Sequence, residues 1–161
     1  MIIREATITD LDTIHRIAHQ TWWPTYTGVI SNEQIEFMLE DMYSVNALLS
    51  QIKNAIFLIA ERDKIPVAFA AYSLKEPENM VFKLQKLYVL PSEQGKGTGK
   101  KLIEKVIDLA KQRNGKVLEL NVNRGNPAFD FYKQLGFEVY QEVNIPYYRF
   151  ILNDFVMRKP L

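Results

Sequence analysis

The apolar positions of the chain fall into stretches of two different periods. Ile2 to Ala6 reads as a short strand. Leu11, Ile14, Ile17, Ala18 and Trp22 then recur at the three- and four-residue steps of an amphipathic helix. Thr9 and Asp12 predict a capping box for that helix, and Pro24 is expected to close it. Ser31 and Gln34 predict a second capping box. The helix behind it turns Ile35, Met38, Leu39 and Met42 inward and Glu33, Glu36, Glu40 and Asp41 outward. Ser44 to Ile52 predicts a third, short helix. Ala55 to Glu61 is almost continuously apolar, as expected of a strand covered on both faces. Arg62 to Pro66 reads as a hairpin turn, Val67 to Ser73 as the returning strand and Glu76 to Asn79 as a polar turn. A strand from Val81 to Val89 leads into a glycine-rich turn, followed by a helix with Leu102, Ile103, Val106, Ile107 and Ala110 on one stripe. Asn114-Gly115 ends that helix.

Val117 to Val122 predicts a strand with Leu118, Leu120 and Val122 on one side and Glu119, Asn121 and Asn123 on the other. Asn126 and Pro127 open a short helix that Gly136 stops. Phe137 to Glu142 and Tyr147 to Lys159 supply the last strands. With no repeat, linker or low-complexity segment, residues 1–161 are expected to form a single α/β domain.

Composition removes several classes of function. The chain has no cysteine, which excludes disulfides, thiolate nucleophiles and cysteine-based zinc sites. Its formal net charge of +1 argues against a nucleic-acid partner held by electrostatics. His15 and His19 sit one helical turn apart but lack an HExxH pattern and a third ligand, so no metal is expected. Arg4 and Glu5 come early and no long apolar run follows, so neither a signal peptide nor a membrane span is expected. A cytoplasmic location follows by default.

The glycine turn carries the most chemistry. Gly95, Gly97 and Gly99 stand at alternate positions immediately before a helix. Amides in the first turn of a helix lack internal partners and sit at the positive end of its dipole, so a strand, a glycine turn and a helix start together form an anion site. The P-loop spacing does not fit: Lys100 and Lys101 follow Gly99, and the position five before Gly99 is Gln94. A dinucleotide fingerprint does not fit either, because Lys100 stands where the third glycine belongs. A plain turn capping a helix is the alternative to an anion site.

The spacing Gln94-x-x-Gly97-x-Gly99 resembles the pyrophosphate-binding motif of the GNAT superfamily of acyl-CoA N-acyltransferases. Asn126, Ala128, Tyr132, Gly136 and Phe137 resemble the family's second signature, at the expected distance and after the expected strand. The order of elements is similar along nearly the whole chain. The resemblance implies a mixed, mostly antiparallel central sheet of about seven strands flanked by helices. It also implies an N-acetyltransferase that uses acetyl-CoA as cosubstrate. The turn amides of Gln94, Gly95, Lys96, Gly97, Thr98, Gly99 and Lys100 would then hold the pyrophosphate, with Lys96 and Lys100 assisting. The main chain of Leu87, Tyr88 and Val89 would pair with the pantetheine arm like an added strand, Asn126 would hydrogen-bond that arm, and Phe129 would flank it.

A primary amine must lose a proton before it attacks a thioester, and the departing thiolate gains from receiving one. Tyr132 suits the acid role, because a phenol keeps its proton at neutral pH. Many relatives carry a carboxylate on the strand before the turn, where this chain has Lys83 and Gln85. Glu119 on the next strand is the candidate base, acting directly or through water; a structural role is its alternative. Trp23 and Tyr26 are candidate substrate walls near a bend between helices. The segments Trp22 to Tyr26 and Leu152 to Met157 look like PaiA-type polyamine acetyltransferases, which points to a small amine or polyamine acceptor. Two other readings stay open: an acceptor that is a protein N-terminus or lysine, and a non-catalytic acyl-CoA sensor. The aromatic C-terminal strands offer an edge for a homodimer.

Overall fold

A computed structural model describes residues 1–161. Its seven strands are β1 (Ile2–Glu5), β2 (Ile56–Arg62), β3 (Ile65–Glu76), β4 (Val81–Val89), β5 (Val117–Asn123), β6 (Glu138–Tyr147) and β7 (Phe150–Pro160). They form one sheet in the order β1-β2-β3-β4-β5-β7-β6. Every pairing is antiparallel except β4 with β5. The α-helices are α1 (Leu11–Tyr26), α2 (Asn32–Tyr43), α3 (Val45–Gln51), α4 (Thr98–Gln112) and α5 (Ala128–Gln134).

The sheet is covered on both faces, as the apolar run of β2 predicts. Leu58 and Ala60 join Phe82, Leu118 and Leu120 under α4, whose Leu102, Ile103, Val106 and Ala110 are buried there. Phe57 and Ile59 point the other way, into a second core with Ile14, Ile17, Ala18 and Trp22 of α1 and Ile35 and Leu39 of α2. Alternate residues of one strand therefore feed two cores.

Three local expectations change. The N-terminal capping box lies two residues earlier than Thr9 and Asp12, at Thr7 and Asp10. Asp10 accepts from the Thr7 amide at 2.8 Å and is held by Arg4, which places a short 3₁₀ turn at Ile8–Asp10 ahead of α1. Pro24 does not close α1. It sits in the last turn, and the helix runs on to Tyr26. A proline there removes a single amide donor close to the helix end, and Thr27 closes the helix by donating from both its amide and its hydroxyl to the Trp23 carbonyl. The strand expected from Phe137 to Glu142 runs on through Pro146 to Tyr147 as β6. That strand lies at the sheet edge, where a missing ladder donor is tolerated, and the hairpin turns at Tyr148, whose φ is 53°.

Two irregularities position the site. The parallel contact between β4 and β5 covers Val81–Leu84 against Val117–Leu120 and then stops. Beyond it, Lys86 to Val89 pair with β3 alone and β5 pairs with β7, so β4 has a free edge facing the gap. The β3–β4 register also slips where Ala71 opposes Lys86 and Tyr72 opposes Leu84, which leaves Gln85 as a bulged residue at the start of the gap.

Candidate active site

The gap opens into a cleft of about 780 Å³ between the ends of β4 and β5. Its walls are the β4 segment Leu84–Val89, the turn into α4, the end of α1 and the start of α5. One end is built for an anion. Gly95 and Gly97 have φ of 82° and 80°, a conformation that side-chain-bearing residues rarely adopt, and Gly97 caps α4. The amides from Gly95 to Lys100 donate to no protein acceptor. A run of free amides at a helix start is the arrangement that binds phosphate.

Beneath this turn lies Glu93, 4% exposed. Burial raises its pKa, but Arg62 at 2.5 Å, the Thr98 hydroxyl at 3.0 Å and the nearby Lys96 outweigh that and hold the carboxyl ionised, below its ordinary range. Glu93 thereby pins both sides of the turn. The Thr98 side chain and the Lys96 ammonium are engaged below it, which leaves the main chain and Lys100 toward the cleft.

Tyr132 lines the same cleft. The residue is 8% exposed, yet its hydroxyl has no protein partner and is not among the sealed polar atoms, so it opens to the cleft. Burial pushes its pKa up, and Tyr26 adds to the effect, so the phenol is protonated at neutral pH. Beside it, Tyr26 accepts from Asn126 Nδ2 at 3.4 Å and shares a 3.3 Å hydrogen bond with Tyr88. Asn126 Oδ1 accepts from the Ala128 amide at 2.9 Å and so starts α5.

Of the residues singled out in the sequence, Leu87, Tyr88, Val89, Gln94, Gly95, Gly97, Thr98, Gly99, Lys100, Asn126, Tyr132 and Tyr26 surround this one cleft. Four do not. Phe129 packs on Phe155 of β7, ring centroids 5.1 Å apart, and Phe131 lines the cleft in its place. Trp23 packs against the α1–α3 core, and Lys96 lies outside the cleft walls. Glu119 is the most consequential correction. Its side chain is 1% exposed and ion-paired with Lys75 and with Arg158, the latter at 2.9 Å, and it does not reach the cleft. Burial would raise its pKa; hydrogen bonds from Lys75 and Arg158 overcome that and keep it below the ordinary glutamate value. A carboxylate clamped by two cations is a poor proton acceptor.

One face-mate of Glu119 replaces it at the cleft. Asn121 is a wall residue, and its Oδ1 is a buried acceptor without a partner. Its Nδ2 donates to Asp154 of β7 at 3.4 Å. Burial raises the Asp154 pKa, against the lowering effects of Asn121, Lys83 and Arg124. The sequence singled out neither residue as a base. Asp154 joins Asn121 only through the antiparallel register of β5 and β7.

The cleft has a free strand edge, a free-amide turn and a protonated phenol between them, which is the equipment of an acyl-CoA-dependent transferase. Residues 26–146 match the family model described as an acetyltransferase (GNAT) domain. The chain belongs to the GNAT acetyltransferase family and is an N-acetyltransferase with that family's fold. It is 33% identical over 144 residues to a spermidine N(1)-acetyltransferase of Thermoplasma acidophilum, covering 85% of this chain and 88% of that protein. The crystal structure of the PaiA N-acetyltransferase from the same organism, in complex with coenzyme A, superimposes with a TM-score of 0.87 at 29% identity over 99% of this chain and 98% of that one. A ribosomal-protein-alanine N-acetyltransferase from Brucella melitensis shares the fold at a TM-score of 0.68 and 24% identity, over 100% of both chains. No helix is long and apolar enough to cross a membrane.

Proposed function

We propose that this enzyme transfers the acetyl group of acetyl-CoA to a primary amine of a small acceptor, with a polyamine foremost, by direct attack in a ternary complex. The observation that carries the reading is the single cleft in which the free amides of Gly95–Lys100, the open edge of Leu87–Val89 and the unpartnered Tyr132 hydroxyl follow one another. The residues fit the coenzyme. The turn amides and Lys100 suit the pyrophosphate, the β4 edge suits the amide-bearing arm, and Asn126 and Phe131 close the opposite side. Bound acetyl-CoA supplies an activated thioester carbonyl.

Asn121 and Asp154 provide the acceptor end. Asn121 lines the cleft, and the carboxylate of Asp154 behind it receives the proton of the bound ammonium through water. Its upward-shifted pKa makes Asp154 a better base than an ordinary aspartate. The β4 amides beside the Gln85 bulge suit the carbonyl oxygen, and Tyr132 faces the leaving sulfur.

Size selection points to a small acceptor. A peptide needs an open groove between the early helices and the last strands. Here α2 and the β6–β7 hairpin meet: Phe37 packs on Tyr148 at 4.9 Å, Tyr147 donates to Asp41, and Arg149 reaches Glu33 at 2.7 Å. These contacts engage two of the four acidic side chains of α2 and bridge the groove. The relative's spermidine substrate supports the same class.

The test is thiol release from acetyl-CoA with spermidine, other diamines and an alanine-terminated peptide offered separately. Release that requires a small amine supports the proposal. Release with the peptide alone moves the acceptor to proteins, and tight acetyl-CoA binding without release over the whole panel makes the domain a sensor. Asp154→Asn is expected to lower kcat/KM for the amine about ten- to a hundredfold and to flatten the acidic limb of the pH–rate profile, with unchanged affinity for coenzyme A. An unaltered profile would remove Asp154 from the chemistry.

A further inference from the structure

Lys86 plays no part in the reaction just derived, and its surroundings are unusual for a lysine. The bulge at Gln85 turns it onto the face covered by α1–α3, where it is 7% exposed and its ammonium lies 4.5 Å from the centre of the Tyr43 ring. The groups around it are aromatic. Tyr43 packs against Trp22 at 5.4 Å and Tyr88 at 6.0 Å, and Tyr88 bonds to Tyr26. Burial raises the pKa of all three phenols, which are neutral. No carboxylate faces the lysine. Burial alone acts on it and brings its pKa down to about 8, so the amine gives up its proton more readily than an ordinary lysine. The amine is not sealed, because the only buried side-chain polar atoms without partners are Trp22 Nε1 and Asn121 Oδ1. Lys86 is a wall residue of the cleft, next to the strand edge Leu87–Val89.

We propose that Lys86 is a self-acetylation site: its ε-amine, on the cleft wall beside the β4 edge without a counter-ion, loses its proton and takes the acetyl group of acetyl-CoA when no acceptor is bound. The proposal rests on the acetyl-CoA reading of the cleft. A C–N bond forms to the thioester carbonyl carbon as the C–S bond breaks. The nitrogen loses one proton, the leaving coenzyme thiolate takes up one, and Lys86 remains as a neutral amide. No oxidant, reductant or metal enters.

The test uses the whole protein and labelled acetyl-CoA without amine, read by peptide mapping, with coenzyme binding followed by thermal shift in the same samples. Label on Lys86 is expected to exceed that on each of the exposed Lys53, Lys64 and Lys105 by at least about tenfold, the direction set by its place on the cleft wall, which the other three lack. It should vanish in urea-unfolded protein, and Lys86→Arg and Lys86→Met should both lose it while retaining the thermal shift. Equal label on all lysines, or label that survives unfolding, overturns the proposal as non-specific chemistry. Coenzyme binding with no label on Lys86 overturns self-acetylation alone and leaves the transferase reading standing. Absence of binding overturns both.

Discussion

Tyr132→Phe is expected to lower kcat by about 10²- to 10³-fold while leaving affinity for coenzyme A within about twofold. The variant deletes one oxygen from a ring that is otherwise packed, ring centroids 5.9 Å from Phe137 and 5.3 Å from Phe131, so the fold has little reason to change. The hydroxyl has no partner in the protein, so its deletion orphans no other group. What disappears is the proton facing the leaving sulfur. The raised pKa of Tyr132 refines the role. The proton stays on the phenol in the resting enzyme, and in the proposed mechanism the hydroxyl would act first as a hydrogen-bond donor to the sulfur as negative charge develops there. The effect should therefore fall on kcat and kcat/KM alike, the signature of an interaction made in the transition state. Steady-state kinetics with the amine found in the acceptor panel would show it, and an unchanged kcat would remove Tyr132 from the mechanism.

Glu119→Gln is expected to act in the opposite way: a large loss of stability with kcat nearly unchanged. The substitution keeps the shape but strips the charge that Lys75 and Arg158 share. Breaking one side of a buried ion pair costs about 3 kcal/mol, which at this chain length lowers Tm by roughly 6–12 °C. The sign with pH follows from the lowered pKa of Glu119. Its stabilising contribution is present above the unfolded-state glutamate pKa and is lost as the pH falls through the lower folded value. The wild type should thus lose an increment of stability on acidification that the variant lacks. Thermal melts from neutral to acidic pH, run beside kinetics on the folded variant, would check both. A variant that melts like the wild type but fails to turn over would restore Glu119 as the base.

The contrast between these two residues shows what local sequence carries. Tyr132 follows from spacing within one short helix: Asn126 sets the start, Gly136 the end, and the position between is fixed by helical geometry. The turn from Gln94 to Lys100 is equally local, because alternating glycines before a helix dictate free amides with little help from distant parts. Glu119 is different. Its alternation on β5 was plain, but its partners lie 44 and 39 residues away and reach it only through strand register. Asp154 was hidden for the same reason. Phe129 and Phe131 stand two residues apart on one helix, and only packing against Phe155 decides which ring faces the cleft. The sheet of seven strands and its two covered faces were legible from periodicity and family resemblance together. The run of α1 past Pro24, which delivers Tyr26 to the cleft, was not, because a proline near a helix end looks the same whether it stops the helix or ends it one turn later.

The short parallel contact between β4 and β5 has a consequence for the cycle. Main-chain pairing joins the half-sheet β1–β4 to the half-sheet of β5, β7 and β6 only at Val81–Leu84. On the proposed reading, a coenzyme arm lying in the gap would complete the seam, so the spent coenzyme would leave only by unzipping bonds that resemble those of the protein's own ladder. Binding and departure of the coenzyme would then close and open a seam in the middle of the sheet.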